Sequence, residues 1–149
     1  MEKIKIYLDV CCLNRPFDDQ TQDRIRLETE AIVTILKYVE LEKILLINSD
    51  AIFYEISKIP NLERKEKVFS LISKAQIYIE FNQKILDRAK EIQKLGIKSY
   101  DALHVACAEE AESDIFLTTD DKLLKKLKKN ELKIKVKVNN PLNWIIGVI

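Results

Sequence analysis

Short apolar runs of strand length alternate along this chain with longer stretches in which apolar residues recur every three or four positions. The run Ile4-Lys5-Ile6-Tyr7-Leu8 stops abruptly at Asp9 and predicts a first strand with a carboxylate at its end. After a loop containing Asn14, Arg15 and Pro16, the stretch from Thr21 to Leu41 keeps Ile25, Ile32, Val33, Leu36 and Val39 at helical spacing. Ile44 to Ile47 predicts a second strand. Behind it, Asn48, Ser49 and Asp50 are candidate N-caps, since their side-chain oxygens accept from the free amides of a first helical turn. The helix they open carries Glu55 and closes at Pro60, whose ring cannot continue a helix.

The pattern then repeats. Leu62 to Ser73 reads as a helix with Val68, Leu71 and Ile72 on its apolar side, and Ile77 to Glu80 as a third strand. Asn82 can cap a helix from Gln83 to Leu95, with Gly96 as its stop, and Ser99 can cap another that runs through Asp101 to about Ala111. Ile115 to Thr118 predicts a fourth strand, and Thr119 or Asp120 opens a further helix. From Lys133 to Val138, lysines alternate with Ile134, Val136 and Val138, the pattern of a half-exposed fifth strand. Parallel strands need crossover connections, which are usually helical. The expectation is therefore an α/β fold of three layers, with a central, mostly parallel sheet of about five strands between helices.

Composition narrows this picture. A length of 149 residues suits one domain spanning the chain, and 47% hydrophobic and 33% charged residues with two glycines and three prolines argue for dense secondary structure. The first residues lack the apolar run of a signal peptide, and no stretch is long enough to cross a bilayer, so the expectation is a cytoplasmic protein without a membrane partner. Cys11, Cys12 and Cys107 offer no disulfide framework, and no ligand pair stands at zinc spacing, so buried reduced thiols are expected. The net charge of +1 excludes nothing, but from Lys122 to Lys137 there are eight lysines against one acid, Glu131. That run reads either as a flank for a phosphate backbone or as a solvated helix followed by a lysine-guarded edge strand.

The chemistry lies in the acids. In an open parallel sheet the strand-to-helix loops emerge at one edge, and ligands bind there. Asp9 ends the first strand, Asp120 follows the fourth, Asp101 opens a helix and Glu55 lies in the helix after the second strand. Two carboxylates about 4 Å apart repel by roughly 4 kcal/mol at the effective dielectric of a protein surface, so such a cluster calls for a cation or bound protons. An all-oxygen set and a chain with one histidine favour a hard ion, Mg²⁺ or Mn²⁺, over zinc. A divalent ion lowers the pKa of a water it binds and stabilises a leaving alkoxide, which suits phosphodiester hydrolysis.

These segments resemble a PIN domain, the nuclease fold best known from toxins of the VapC type. The matching stretches are Tyr7-Leu8-Asp9, Asn48 to Ile56 around Glu55, Ser99-Tyr100-Asp101-Ala102-Leu103-His104, and Phe116-Leu117-Thr118-Thr119-Asp120. The resemblance covers nearly the whole chain. It implies a metal-dependent endoribonuclease acting on RNA, frequent homodimers, products with a 5′-phosphate and a 3′-hydroxyl, and in the toxin branch an antitoxin protein that occupies the site. Asp9 and Asp101 match the family's principal metal ligands. Glu55 and Asp120 match its supporting acids, with Asp121 as the competitor for the last place. Where many relatives carry a hydroxyl or amide residue directly after the first acid, this chain has Val10, Cys11 and Cys12, and its Leu13 to Asp19 segment suggests a side branch. The alternative to an active nuclease is a catalytically weak PIN scaffold that binds RNA or a protein partner.

Several residues carry two readings. Asn14 and Arg15 follow Asp9 closely enough to contact substrate, with Arg15 on a phosphate, although Arg15 can equally pair with Asp18, Asp19 or Glu28. His104, three residues after Asp101, is read as a packed or capping histidine rather than a base, since an ion-activated water needs none. Trp144 is read as packing with Leu142 and Ile145 rather than as a base-stacking platform.

Overall fold

A computed structural model describes residues 3 to 149. Strand β1 (Ile4–Leu8) lies in the middle of a five-stranded sheet, in the order β3-β2-β1-β4-β5, with β2 at Ile44–Ser49, β3 at Ile77–Ile79, β4 at Ile115–Leu117 and β5 at Val138–Asn139. All four pairings are parallel, with Ile4 opposite Ile44, Leu8 opposite Leu117 and Phe116 opposite Val138. A parallel sheet is covered on both faces, which is why Ile6, Tyr7, Leu8, Phe116 and Leu117 are apolar in succession and wholly buried.

The helices are α1 (Val10–Asn14), α2 (Asp23–Glu40), α3 (Asp50–Ser57), α4 (Leu62–Ile72), α5 (Gln83–Gln93), α6 (Ser99–Glu110), α7 (Asp121–Lys129) and α8 (Pro141–Val148), with a single 3₁₀ turn at Arg15–Phe17. From β1 the chain steps outward to β2 and β3 through α1 to α4, then crosses back to β4 through α5 and α6. Right-handed crossovers in opposite directions place these two groups on opposite faces of the sheet. Packing agrees: α2 lies against α8 and the 3₁₀ turn, α1 against α4, and α5 against α6. Among the described residues no helix is long and apolar enough to cross a membrane.

The structure departs from the expected elements at three places. Residues 10–14 form a short buried helix where a loop was expected, and α8 was not anticipated although Asn140 and Pro141 are a standard opening pair, with the Asn140 Oδ1 accepting from Leu142 N at 2.8 Å. The fifth strand is shorter and later than Lys133–Val138. Ile134 and Val136 are buried between exposed lysines as the alternation implies, yet the Lys135 amide donates to the Glu109 carboxylate at 2.8 Å instead of to a strand. Alternation reports which side chains face the core and leaves backbone pairing open.

Candidate active site

The strand order reverses between β1 and β4, so the loops after these neighbours lead away to opposite sides and leave a crevice at their carboxyl ends. Asp9 stands at that crevice. It caps α1, with Oδ1 accepting from Val10 N at 2.8 Å, while Oδ2 accepts from the Thr118 hydroxyl at 2.9 Å across the β1–β4 seam. The Cys11 thiol lies 3.4 Å from the same Oδ2 and 3.3 Å from Thr118 Oγ1. Asp9 is 5% exposed, and its carboxyl is pushed above the ordinary range by burial and by Glu55, against the pull of His104 and its hydrogen bonds.

Glu55 arrives from α3, whose start is set by Ser49: the Ser49 hydroxyl accepts from Ile52 N at 3.1 Å. Glu55 Oε1 is 3.1 Å from His104 Nε2, and His104 Nδ1 is 2.8 Å from the Tyr7 hydroxyl, which in turn lies 2.7 Å from Ser49 Oγ. Tyr7, Ser49 and His104 are all fully buried, so this chain fixes the imidazole from both sides. Burial alone would lower the His104 pKa, but the Glu55 hydrogen bond and the charges of Asp9, Glu55 and Asp101 carry it above its ordinary value. Donor atoms of Asp9, Glu55 and His104 lie within 4.8 Å of one another, a spacing that can hold one metal ion.

Asp101 sits in the first turn of α6, which begins after Lys98 rather than with the expected Ser99 cap. Its carboxyl is pushed up to about 6 by burial and by the charges of Asp9, Asp120 and Glu55, partly offset by His104. It thus shares the field of the crevice while standing outside the tight trio. Asp120 caps α7, its Oδ1 accepting from Lys122 N at 3.0 Å and Leu123 N at 3.1 Å, and its own amide donates to Thr118 Oγ1 at 3.1 Å. Asp121 points elsewhere, paired with both terminal nitrogens of Arg24 at 2.6 and 2.7 Å.

The other candidates have neighbours of their own. Arg15, weighed as a phosphate contact, donates from Nε to Glu28 at 2.9 Å and from one terminal nitrogen to Asp18 at 3.3 Å. Asn14 donates to Val10 O at 3.2 Å and accepts from Arg64 at 3.2 Å. Burial raises the Cys12 thiol and pushes the Cys107 thiol up to about 12, as inert packing requires. Trp144 packs against the core beside a groove of about 1040 Å³ lined by Ile4, Ile115, Leu127, Ile134 and Val136, at the sheet edge opposite the acids. His104 is the residue whose place in the cluster sequence reasoning missed. Its spacing of three from Asp101 on one helix was the available signal.

The strand order and the carboxylates at its reversal define an α/β protein with an acid-lined crevice at the carboxyl ends of its strands. The model of the PIN domain family matches residues 6–130, which takes in all four acids, and the chain belongs to that family of nucleases. The fold is shared with two solved structures. VapBC2 from Rickettsia felis, described as bound to a DNA fragment from its promoter, is 16% identical over 92% of this chain and 98% of that one, with a TM-score of 0.60. PAE2754 from Pyrobaculum aerophilum is 15% identical over 83% of this chain and 84% of that one, with a TM-score of 0.50. No curated protein matches the chain significantly.

Proposed function

We propose that this protein is a divalent-metal-dependent endoribonuclease that hydrolyses RNA phosphodiester bonds at the β1–β4 crevice. The observation that carries the reading is the convergence of Asp9 and Glu55 with His104 inside 4.8 Å, beside an Asp101 whose carboxyl is pushed up to about 6 by burial first and by the repulsion of Asp9, Asp120 and Glu55 after it. Such mutual repulsion is the electrostatic mark of a site that takes a cation.

The donor set fits Mg²⁺ or Mn²⁺, with Asp9 and Asp101 as direct ligands and Glu55 and Asp120 as supporting acids. When bound, the ion supplies a water acidic enough to attack phosphorus and charge stabilisation for the departing oxygen. The chain's own part is to hold the carboxylates. Thr118, Cys11 and the Val10 amide fix Asp9, the Tyr7–His104 pair fixes Glu55, and the α7 amides fix Asp120.

The biological setting proposed with this chemistry is the cytoplasm, a homodimer, and a co-encoded antitoxin that covers the crevice. The shared fold with a VapBC pair supports that last element. Cleavage of RNA by the purified protein with Mn²⁺ or Mg²⁺, its loss in EDTA, and its loss in Asp9→Asn are the expected results. Undiminished cleavage by Asp9→Asn overturns the assignment. Growth arrest on expression, relieved by Asp101→Ala, would join toxicity to the same site.

A further inference from the structure

Two tyrosines stand immediately beside the proposed catalytic acids. Tyr54 precedes Glu55 on α3 and Tyr100 precedes Asp101 on α6, and their rings meet at 5.8 Å with an interplanar angle of 32°. Neither is absorbed into the core: Tyr54 is 46% and Tyr100 38% exposed. Lys58, one turn beyond Tyr54, places its ammonium 4.4 Å from the Tyr54 ring centre and donates to the Tyr100 hydroxyl at 2.8 Å. An ammonium has three donors, so this bond leaves two for another acceptor. The cluster is therefore a pair of mutually braced aromatic rings, open to water, with a cation at its margin and carboxylates on the neighbouring residues.

We propose that Tyr54 and Tyr100 form a stacking platform for an unpaired nucleobase of the RNA strand, with Lys58 contacting a phosphate beside that base. The inference rests on the nuclease reading of the crevice and names a subsite for its substrate. Bases stack on aromatic side chains irrespective of sequence because every base has a π-face, and recognition of RNA at splayed, single-stranded positions commonly uses such platforms. The braced geometry suits the task, since rings that already hold each other lose little freedom when a third ring arrives. Lys58 answers a second need. Carboxylates at the crevice repel an incoming phosphate backbone, and a cation that closes the helix bearing Glu55 offsets part of that repulsion.

The test is equilibrium binding of a fluorescently labelled single-stranded RNA oligomer, measured in EDTA so that no turnover intervenes. Tyr54→Ala and Tyr100→Ala should each weaken binding by roughly five- to a hundred-fold, while the corresponding phenylalanine variants, which keep the ring, should retain most of it. On an oligomer of the same length with abasic residues, the alanine variants and the parent should bind alike. Lys58→Ala should lower the slope of log affinity against log salt by about 0.7. Equal affinity across all variants, an equal loss on the abasic oligomer, or no binding by the parent overturns the platform. Cleavage of the same RNA in Mn²⁺ separates the two readings: cleavage with tyrosine-independent binding removes the platform alone, and tyrosine-dependent binding without cleavage removes the nuclease reading alone.

Discussion

Nε2 of His104 lies 3.1 Å from Oε1 of Glu55, joining a wholly buried ring on α6 to a half-buried carboxylate on α3. Because Tyr7 holds the other ring nitrogen, the imidazole cannot swing to accommodate a different partner. His104→Leu fills much of the space but takes one of the two partners of the buried Tyr7 hydroxyl, leaving Ser49, and frees Glu55. We expect it to lower stability by about 2–4 kcal/mol, measured by urea denaturation in EDTA. Mn²⁺ affinity by calorimetry should fall about 10- to 100-fold, the usual effect of removing a residue that orients a ligand. A variant with lower stability and parental metal affinity would reduce His104 to packing.

Asp101 gives the metal-free protein a distinct pH profile. Its folded carboxyl titrates at about 6 against an ordinary value of 3.8, so the folded state holds the proton more tightly than the unfolded state does. The sign follows: this contribution is fully present below pH 4 and is lost as pH rises through 6. Asp101→Asn removes a partly buried charge and the repulsion on it, and in EDTA at pH 7 the variant should be more stable than its parent by about 1–2 kcal/mol after allowance for solvent screening. The two should converge near pH 4. Added Mn²⁺ should raise the melting temperature of the parent more than that of the variant, because ligand binding stabilises only in proportion to its affinity. Thermal melts across pH 4 to 8, with and without the ion, check both parts.

Glu28 is a buried charge with three partners from separate segments. At 1% exposure it accepts from Arg15 at 2.9 Å, Arg24 at 3.2 Å and Asn140 at 2.6 Å, tying α2 to the 3₁₀ turn and to the cap of α8. Glu28→Ala takes the buried acceptor from Arg15 and Asn140, while the half-exposed Arg24 keeps Asp121, and should cost about 2–3 kcal/mol. A shift of the denaturation midpoint too small for that loss would show the network to be dispensable.

Much of this was legible because local chemistry and tertiary role coincide. Ile4 to Leu8 ends in Asp9, Ser49 caps the helix that bears Glu55, and Asp120 caps α7, and each signal lies within a few residues of its consequence. What escaped depends on distant segments. Helix α1 is only five residues long, too short for a periodic pattern, and it forms around the Asp9 cap with three residues buried by packing. Arg15 has Asp18, Asp19 and Glu28 as candidate partners in the sequence, and only the fold selects Glu28 and Asp18 among them. His104 looks like an ordinary core residue until α3 sets Glu55 against it. The reversal of strand order that opens the crevice is likewise a property of the sheet and of no single stretch.

Asp120 and Asp121 are adjacent in sequence and differ in commitment. Both are exposed, but the Asp121 carboxyl is held below the usual range by the paired bond from Arg24, whereas Asp120 lies close enough to Asp101 to help raise its carboxyl. In a cleavage assay at fixed Mn²⁺, Asp120→Asn should lose at least about ten-fold in rate, by the scale expected for a supporting group at a metal site. Asp121→Asn should stay close to the parent in rate and in melting temperature. The reverse order would move the fourth acid to Asp121.

Thr118 supplies the support that the residues after Asp9 do not. Val10 and Cys12 turn into the core, and the Cys11 thiol is a weak donor, so the strongest side-chain hydrogen bond to Asp9 comes from the residue that follows β4, at 2.9 Å. The same hydroxyl accepts from the Asp120 amide, so one side chain helps set the position of two acids. Thr118→Val keeps the shape of the side chain and removes both bonds. Mn²⁺ affinity and cleavage rate should each fall about 10- to 100-fold. Thr118→Ser, which restores the hydroxyl without the methyl, should recover most of that loss at some cost in stability. Recovery by serine distinguishes a positioning hydrogen bond from simple packing, since loss of the methyl alone would make serine the worse of the two.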